Sequence, residues 1–243
     1  MQYGEFARLY DGLMADVDYD GWAAYLASFL PAGAAAAECA CGTGAITLRL
    51  ARMGFRVTGL DISPSMLEVA AEKARQAGLR IPFVCQDMAG LALHRPVDAV
   101  IAACDGVNYL TEQAELKGFF SAAHSALRPG GQLLFDISSP YKIEAVLGCN
   151  TFGEDDGETA YLWRNLYDPE SRLIEMNLTF FLREGSRYRR FTERHVQRAH
   201  LPEELCAALR QAGFSVAGVY AALTREPPGE RTERIQFRAV KGA

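Results

Sequence analysis

Residues 34–51 read "AAAAECACGTGAITLRLA", and this stretch decides the fold. A run of small residues predicts a buried strand ending near Cys39, Gly-Thr-Gly makes the turn, and an apolar helical pattern follows and closes at Gly54. Glycine at the C-terminal tip of a strand lets backbone N–H groups and a helix N-terminus come close to a ligand. A triphosphate-binding loop would continue with Lys-Ser or Lys-Thr, but Ala45-Ile46 follow Gly44, which excludes it. A dinucleotide fingerprint asks for a third glycine where Thr47 stands, so NAD is weakened and S-adenosylmethionine stays open.

Working outward, strands and helices alternate. Phe6, Leu9, Tyr10, Leu13 and Met14 share one helical face; after "ADVDYD" the spacing repeats at Trp22, Tyr25, Leu26, Phe29 and Leu30, predicting two N-terminal helices. "FRVTGLD" is a second strand ending at Asp61. Ser63 caps the next helix, Pro64 fits its first turn, and Gly78 follows its end. "IPFVCQD" and "VDAVIAAC" are the third and fourth strands, "EQAELKGFFSAAHSAL" a helix, "RPGG" a turn and "QLLFDIS" the fifth strand. This alternation predicts an α/β domain with a parallel sheet covered on both faces. Between about 151 and 200 the helices disappear. "YLWRNLYD", "RLIEMNLTFFLRE" and "YRRFTERHVQRAHL" read as an inserted antiparallel meander, with Ile174, Met176, Leu178, Phe180 and Leu182 on one face. A helix and two strands then resume the α/β pattern. The expected division is an N-terminal helical lid (1–30), the main domain (31–150 and 201–243) and the insertion (151–200).

Composition narrows the function. The 243 residues carry a net charge of −5, which argues against a surface built for a phosphate backbone. The one basic strip, Arg187–Arg198, reads as a solvated strand face, with RNA contact the minority alternative. No apolar run is long enough to span a bilayer, and the acidic N-terminus does not fit a targeting signal, so a cytoplasmic protein is expected. The six cysteines lack zinc-ligand spacing and the four histidines form no ligand pair, so core thiols and no metal are expected.

The strand tips carry the chemistry. Asp61 can accept from both hydroxyls of a ribose, a need NAD and S-adenosylmethionine share. Asp87 in "CQDM" can accept from an adenine amino group while Met88 packs on the ring. Strand-terminal aspartates often only cap turns; a backbone pocket, a ribose acceptor and an adenine acceptor in this order point to an adenosyl ligand.

With Glu38, Ala40, Gly42 and Gly44 standing in acidic-x-G-x-G-x-G positions, the chain resembles the class I S-adenosylmethionine-dependent methyltransferases. Ala40 departs from the first glycine and tightens the turn. The resemblance spans roughly residues 34–240. It implies a Rossmann-like seven-stranded mixed sheet with its last strand antiparallel, helices on both faces, and S-adenosylmethionine as cofactor without a metal. "FARLYDGLMADVDYDGW", "CDGVNYL" and "FDISSPYK" are further similar to small bacterial methyltransferases of unassigned substrate, laid out like glycine and amino-sugar N-methyltransferases. What this implies for the cofactor site is Ala40, Cys41, Gly42, Gly44, Asp61, Ile62, Met66, Asp87, Met88 and Cys104, with Tyr3, Tyr10 and Trp22 closing over it. Cation–π attraction gives those rings a reason; packing of helix on sheet is the competing explanation.

Asp105, Asn108 and Tyr109 are expected to face the methyl group, with Tyr10, as catalytic candidates. Cys104-Asp105-Gly106-Val107 lacks the Asp/Asn-Pro-Pro-aromatic pattern of base methylation, so a small-molecule acceptor, methylated at nitrogen, is expected. His195, Arg190, Tyr141 and Lys142 are weaker candidates near the acceptor. A protein or RNA methyltransferase, or a non-catalytic S-adenosylmethionine- or NAD-binding protein, is the alternative. Monomer and homodimer both stay open.

Overall fold

The computed structural model describes residues 6–242. Helices α1 (Phe6–Leu13) and α2 (Tyr19–Ala27) come first; the Asp18 side chain caps α2 by accepting from the Gly21 amide at 2.8 Å. The alternating part runs β1 (Ala35–Cys39), α3 (Ala45–Arg52), β2 (Arg56–Asp61), α4 (Pro64–Gln76), β3 (Phe83–Cys85), β4 (Val97–Ala102), α5 (Gln113–Ala126) and β5 (Leu127–Ser138). A four-strand excursion follows: β6 (Thr151–Asp155), β7 (Thr159–Asp168), β8 (Leu173–Glu184) and β9 (Arg187–Arg198). The chain then completes its main sheet with α6 (Pro202–Gln211), β10 (Phe214–Ala221) and β11 (Arg234–Lys241).

The main sheet has seven strands in the order β10-β11-β5-β4-β1-β2-β3, with β11 antiparallel to both neighbours and β1 to β5 mutually parallel. From β1 the chain builds outward through β2 and β3, returns beside β1 as β4, and builds the other way. The switch point therefore lies between β1 and β4, where the tips of an open α/β sheet part to make a crevice. Apolar layers cover both faces. Phe119, Phe120, Phe135, Leu205 and Leu209 form one; Trp22, Leu26, Ile46, Leu50 and Ile101 form the other.

Two expectations change in detail. "RPGG" is not a turn outside the sheet. It bulges within β5, where Val97 pairs with Leu127 but Ala99 pairs with Gln132, and Gly130 takes φ 74°. The excursion holds four strands rather than three, because 151–155 pairs with β7 at the edge. That short, exposed strand has little apolar periodicity to betray it.

Pairing of Met176 with His195, Leu178 with Glu193 and Phe180 with Phe191 puts these residues on one face of the small sheet. That face is buried. Ile174, Met176 and Phe180 pack on Ile143, Leu147 and α1, and Glu193, His195 and Gln197 point inward with them. The small sheet thus roofs the parting of the main strands.

Candidate active site

Ala40, Gly42 and Gly44 take φ values of 51°, 53° and 76°, so every second residue of the turn after β1 is left-handed. Gly42 has open space where a Cβ would stand. At Gly44 a Cβ would lie 2.9 Å from Leu48 and 3.1 Å from Ala70, so this glycine lets α3 and α4 pack. Ala40 bears the strain of a non-glycine residue, roughly 1–2 kcal/mol. Its methyl faces Gly106, where an added Cβ would sit 2.9 Å away, so the glycine missing from the first turn is answered across the crevice.

Asp61 ends β2 and is 8 % exposed. Its oxygens accept the amides of Ser63 and Gly42, each at 2.8 Å, which ties the second strand tip to the glycine turn. Burial raises its pKa, against the pull of those amides. A carboxylate offers about four lone-pair positions, so acceptor capacity remains. Beside it Ile62 is 63 % exposed, an apolar surface at the crevice rim. Asp87 caps the 88–90 turn through the Ala89 amide at 2.8 Å and is otherwise exposed, while Met88 packs into the core below. Behind the turn, Glu38 is buried and accepts from the Thr47 hydroxyl; burial pushes its pKa up to about 8. Cys41 is buried beside Gly59.

The fourth strand tip is strained. Cys104 and Asp105 take φ 59° and 57°, and Asp136 of β5 holds both amides, at 2.7 and 3.1 Å. Arg234 of β11 bridges Asp136 and Asp105, the latter at 2.7 Å. Gln197 of the roof donates to the other oxygen of Asp105 at 2.8 Å. Asp105 is therefore no loose carboxylate: its orientation is set by the half-buried Arg234 and by the roof. Tyr109 is partly exposed, with its hydroxyl 3.4 Å from His195 Nδ1. Phe6 of α1 also packs on that imidazole, at 5.6 Å. Burial lowers the His195 pKa to about 4, which keeps the ring neutral at ordinary pH.

Several expected site residues do other work. Asn108 is fully buried and fully employed. It accepts the Ser138 amide and donates to the Ser138 and Arg198 carbonyls, stitching β5, the 106–109 turn and β9, which is a structural role. Trp22 is 5 % exposed and packs α2 on the sheet, with Arg234 over its ring at 5.8 Å, so it is core and not lid. Met66 is buried beneath Phe6, Ala7 and Phe180. Tyr3 lies outside the described residues. Tyr10 does stand at the site: it packs edge-on to Phe6 at 5.6 Å and bonds the hydroxyl of Tyr19, which lies near Cys104 and Asp105. Of the six thiols only Cys39 and Cys41 are buried; Cys85 and Cys149 are exposed.

Sequence reading passed over Tyr19, Asp136, Gln197 and Arg234. Tyr19 has a signal, an aromatic inside the "DVDYD" break; the others become neighbours only when distant strands meet. Two of the five arginines of β9 are answered by acids, Arg189 by Glu184 at 2.6 Å and Arg194 by Glu175 at 2.5 Å, and Arg198 donates to the Thr111 carbonyl at 3.1 Å. No group of three or more His, Cys, Asp or Glu side chains suited to a metal occurs among the described residues. No helix there is long and apolar enough to cross a membrane.

Residues 36–131, from β1 through the start of β5, match the methyltransferase domain family. Across 242 residues the chain is 36 % identical to YqeM of Bacillus subtilis (strain 168), named a candidate methyltransferase, covering 99 % of this chain and 98 % of the relative. The chain belongs to the class I S-adenosylmethionine-dependent methyltransferases. This methyltransferase superimposes on an S-adenosylmethionine-dependent methyltransferase from Clostridium acetobutylicum ATCC 824 with TM-score 0.90 and 33 % identity over 98 % of each chain. It is also similar to S-adenosylmethionine-bound CalS10, an amino pentose methyltransferase from Micromonospora echinaspora, with TM-score 0.74 and 25 % identity over 99 % and 98 % of the two chains. The NAD alternative falls with this membership. The crevice also fits the cofactor on its own terms: an open glycine turn, an acceptor with spare capacity at Asp61, an apolar rim at Ile62 and an exposed Asp87 follow one another along the strand tips.

Proposed function

We propose that this methyltransferase transfers a methyl group to the nitrogen of a small-molecule amine. The observation that carries this reading is the seating of the roof: Gln197 reaches Asp105 at 2.8 Å and His195 approaches Tyr109 at 3.4 Å. These contacts bring Tyr109, His195, Asp105 and the Tyr10–Tyr19 pair together under the roof, and a covered acceptor side suits a metabolite better than a polymer strand. CalS10, which acts on an amino pentose, shares the whole fold including this region.

Gly42, Gly44, Asp61, Ile62 and Asp87 hold the cofactor in this reading. S-adenosylmethionine supplies a methyl carbon already activated by positive sulfur, so the protein's task is mainly alignment and exclusion of water, worth up to about 7–11 kcal/mol. Asp105, fixed by Arg234 and Gln197, orients the acceptor nitrogen. Tyr10 is the ring placed to meet positive charge, about 0.5–2 kcal/mol for a well-placed ring, while Arg49 already lies over the Tyr19 ring at 5.5 Å. An amine needs no strong base, because its proton can leave to solvent after transfer; neutral His195 and Tyr109 serve to wall the acceptor side.

A transfer screen with radiolabelled S-adenosylmethionine over small amines, RNA and protein lysate tests the proposal. Label in a low-mass amine is expected, lost in Asp105→Ala. Label confined to RNA or protein contradicts it.

A further inference from the structure

Helix α1 meets three parts of the molecule at once. Phe6 packs on Phe180 and His195 of the roof, each at 5.6 Å, and Phe6 and Ala7 cover Met66 of α4. Its third contact is polar and falls on the cofactor turn itself. The Thr43 hydroxyl donates to Asp11 at 2.5 Å, and Lys73 of α4 donates to Asp11 at 2.6 Å and to Thr43 at 3.3 Å. Thr43 is buried and stands between the two left-handed glycines, Gly42 and Gly44.

This ring of three side chains has no part in the chemistry derived above. As an ion pair it is weak, because the Asp11 and Lys73 side chains are 42 % and 29 % exposed. Its importance lies in what it joins. α1 has eight residues, too few to hold a helix alone, so it forms only where docking supports it. The turn is open where Gly42 would carry a Cβ, so a ligand can lie directly against its backbone.

We propose that Asp11, Thr43 and Lys73 are positioning residues that couple cofactor occupancy to the docking of α1. A cofactor lying on the turn fixes Thr43 in the orientation that receives Asp11. Docked α1, through Asp11, holds the turn in the form the cofactor needs. Linkage requires each effect to equal the other in size. The order of events follows: the cofactor enters while α1 is away, α1 closes, and Phe6 then completes the wall beside His195. The proposal rests on the turn being the S-adenosylmethionine site.

The test titrates S-adenosylhomocysteine calorimetrically into the full chain, and in parallel follows protease cleavage in the Met14–Asp18 connection with and without that ligand. The variants are Asp11→Ala, Thr43→Val, Lys73→Met and the exchange Asp11→Lys with Lys73→Asp. Each single variant should bind about 5- to 20-fold more weakly, within the usual range of coupling. Ligand should protect the connection in the wild type and lose that effect in the single variants. The exchange should recover both affinity and protection, because Thr43 can accept from Lys at 11 and donate to Asp at 73; a merely structural defect would not be rescued this way. Wild-type affinity and protection in the single variants overturn the clasp alone, as do weaker binding with unchanged protection and an exchange no better than the single variants. Failure of the wild type to bind S-adenosylhomocysteine overturns both the clasp and the cofactor site.

Discussion

Changing Asp61 to Asn removes one charge and one acceptor at the centre of the crevice while keeping size and shape. In the wild type the carboxylate already accepts the amides of Ser63 and Gly42, each at 2.8 Å, with the Ile62 amide also drawing on it, and acceptor capacity remains for a ribose hydroxyl. Asparagine keeps one acceptor oxygen and presents a donor where the other stood. The cofactor therefore loses about one charge-assisted hydrogen bond, worth about 1.5–3 kcal/mol, and S-adenosylhomocysteine should bind roughly 10–150-fold more weakly. Calorimetric titration measures this, with a thermal melt alongside to confirm that the variant is folded. A pH series sharpens it. Burial raises the Asp61 pKa, so wild-type affinity should decline as pH falls into that raised range, while the Asn variant stays flat. Equal affinities, or the same pH profile in both proteins, would refute the assignment of Asp61 to the ribose.

Three further outcomes are expected. The Glu38 carboxyl has its pKa raised by burial to about 8, so the fold holds its proton more tightly than the unfolded chain does and loses stability as pH rises from about 4.5 to 8; Glu38→Gln should melt higher than the wild type above pH 8, with the difference shrinking towards pH 5. Asn108→Ala leaves the Ser138 amide and the Ser138 and Arg198 carbonyls without their buried partner, and urea unfolding should show a loss of about 2–4 kcal/mol, with S-adenosylhomocysteine affinity changed far less. Deleting residues 1–15 removes α1 but spares α2 and its buried Trp22, so circular dichroism should report an intact sheet while methyl transfer is lost; normal turnover would remove α1 from the closing of the site.

The strand–turn–helix units were legible because their signals are local. Ser63 caps α4 with Pro64 in its first turn, Gly54 and Gly78 follow helix ends, and apolar periodicity marks the rest. The placing of the Gly42–Gly44 turn, Asp61 and Asp87 at the strand tips was legible for the same reason, since each follows directly from a strand end. The acceptor side was not. Asn108 and Asp105 sit on one short turn and look equivalent in sequence, yet one is walled in by β5 and β9 while the other is posted at the crevice by Arg234 and Gln197. Gln197 and Arg234 lie 92 and 129 residues away from Asp105 along the chain, and nothing near Asp105 announces them. Trp22 illustrates the same limit: helical spacing gives its face, but whether that face meets the sheet or the ligand depends on tertiary packing.

A crystal structure of the protein with S-adenosylhomocysteine tests the central claim most directly. The account predicts the methionyl portion along Gly42–Gly44, both ribose hydroxyls within hydrogen-bond reach of Asp61, adenine between Ile62 and Met88 with its amino group towards Asp87, and α1 closed through Asp11 and Thr43. Ligand density in any other cleft, with Asp61 still bound only to backbone amides, would contradict it.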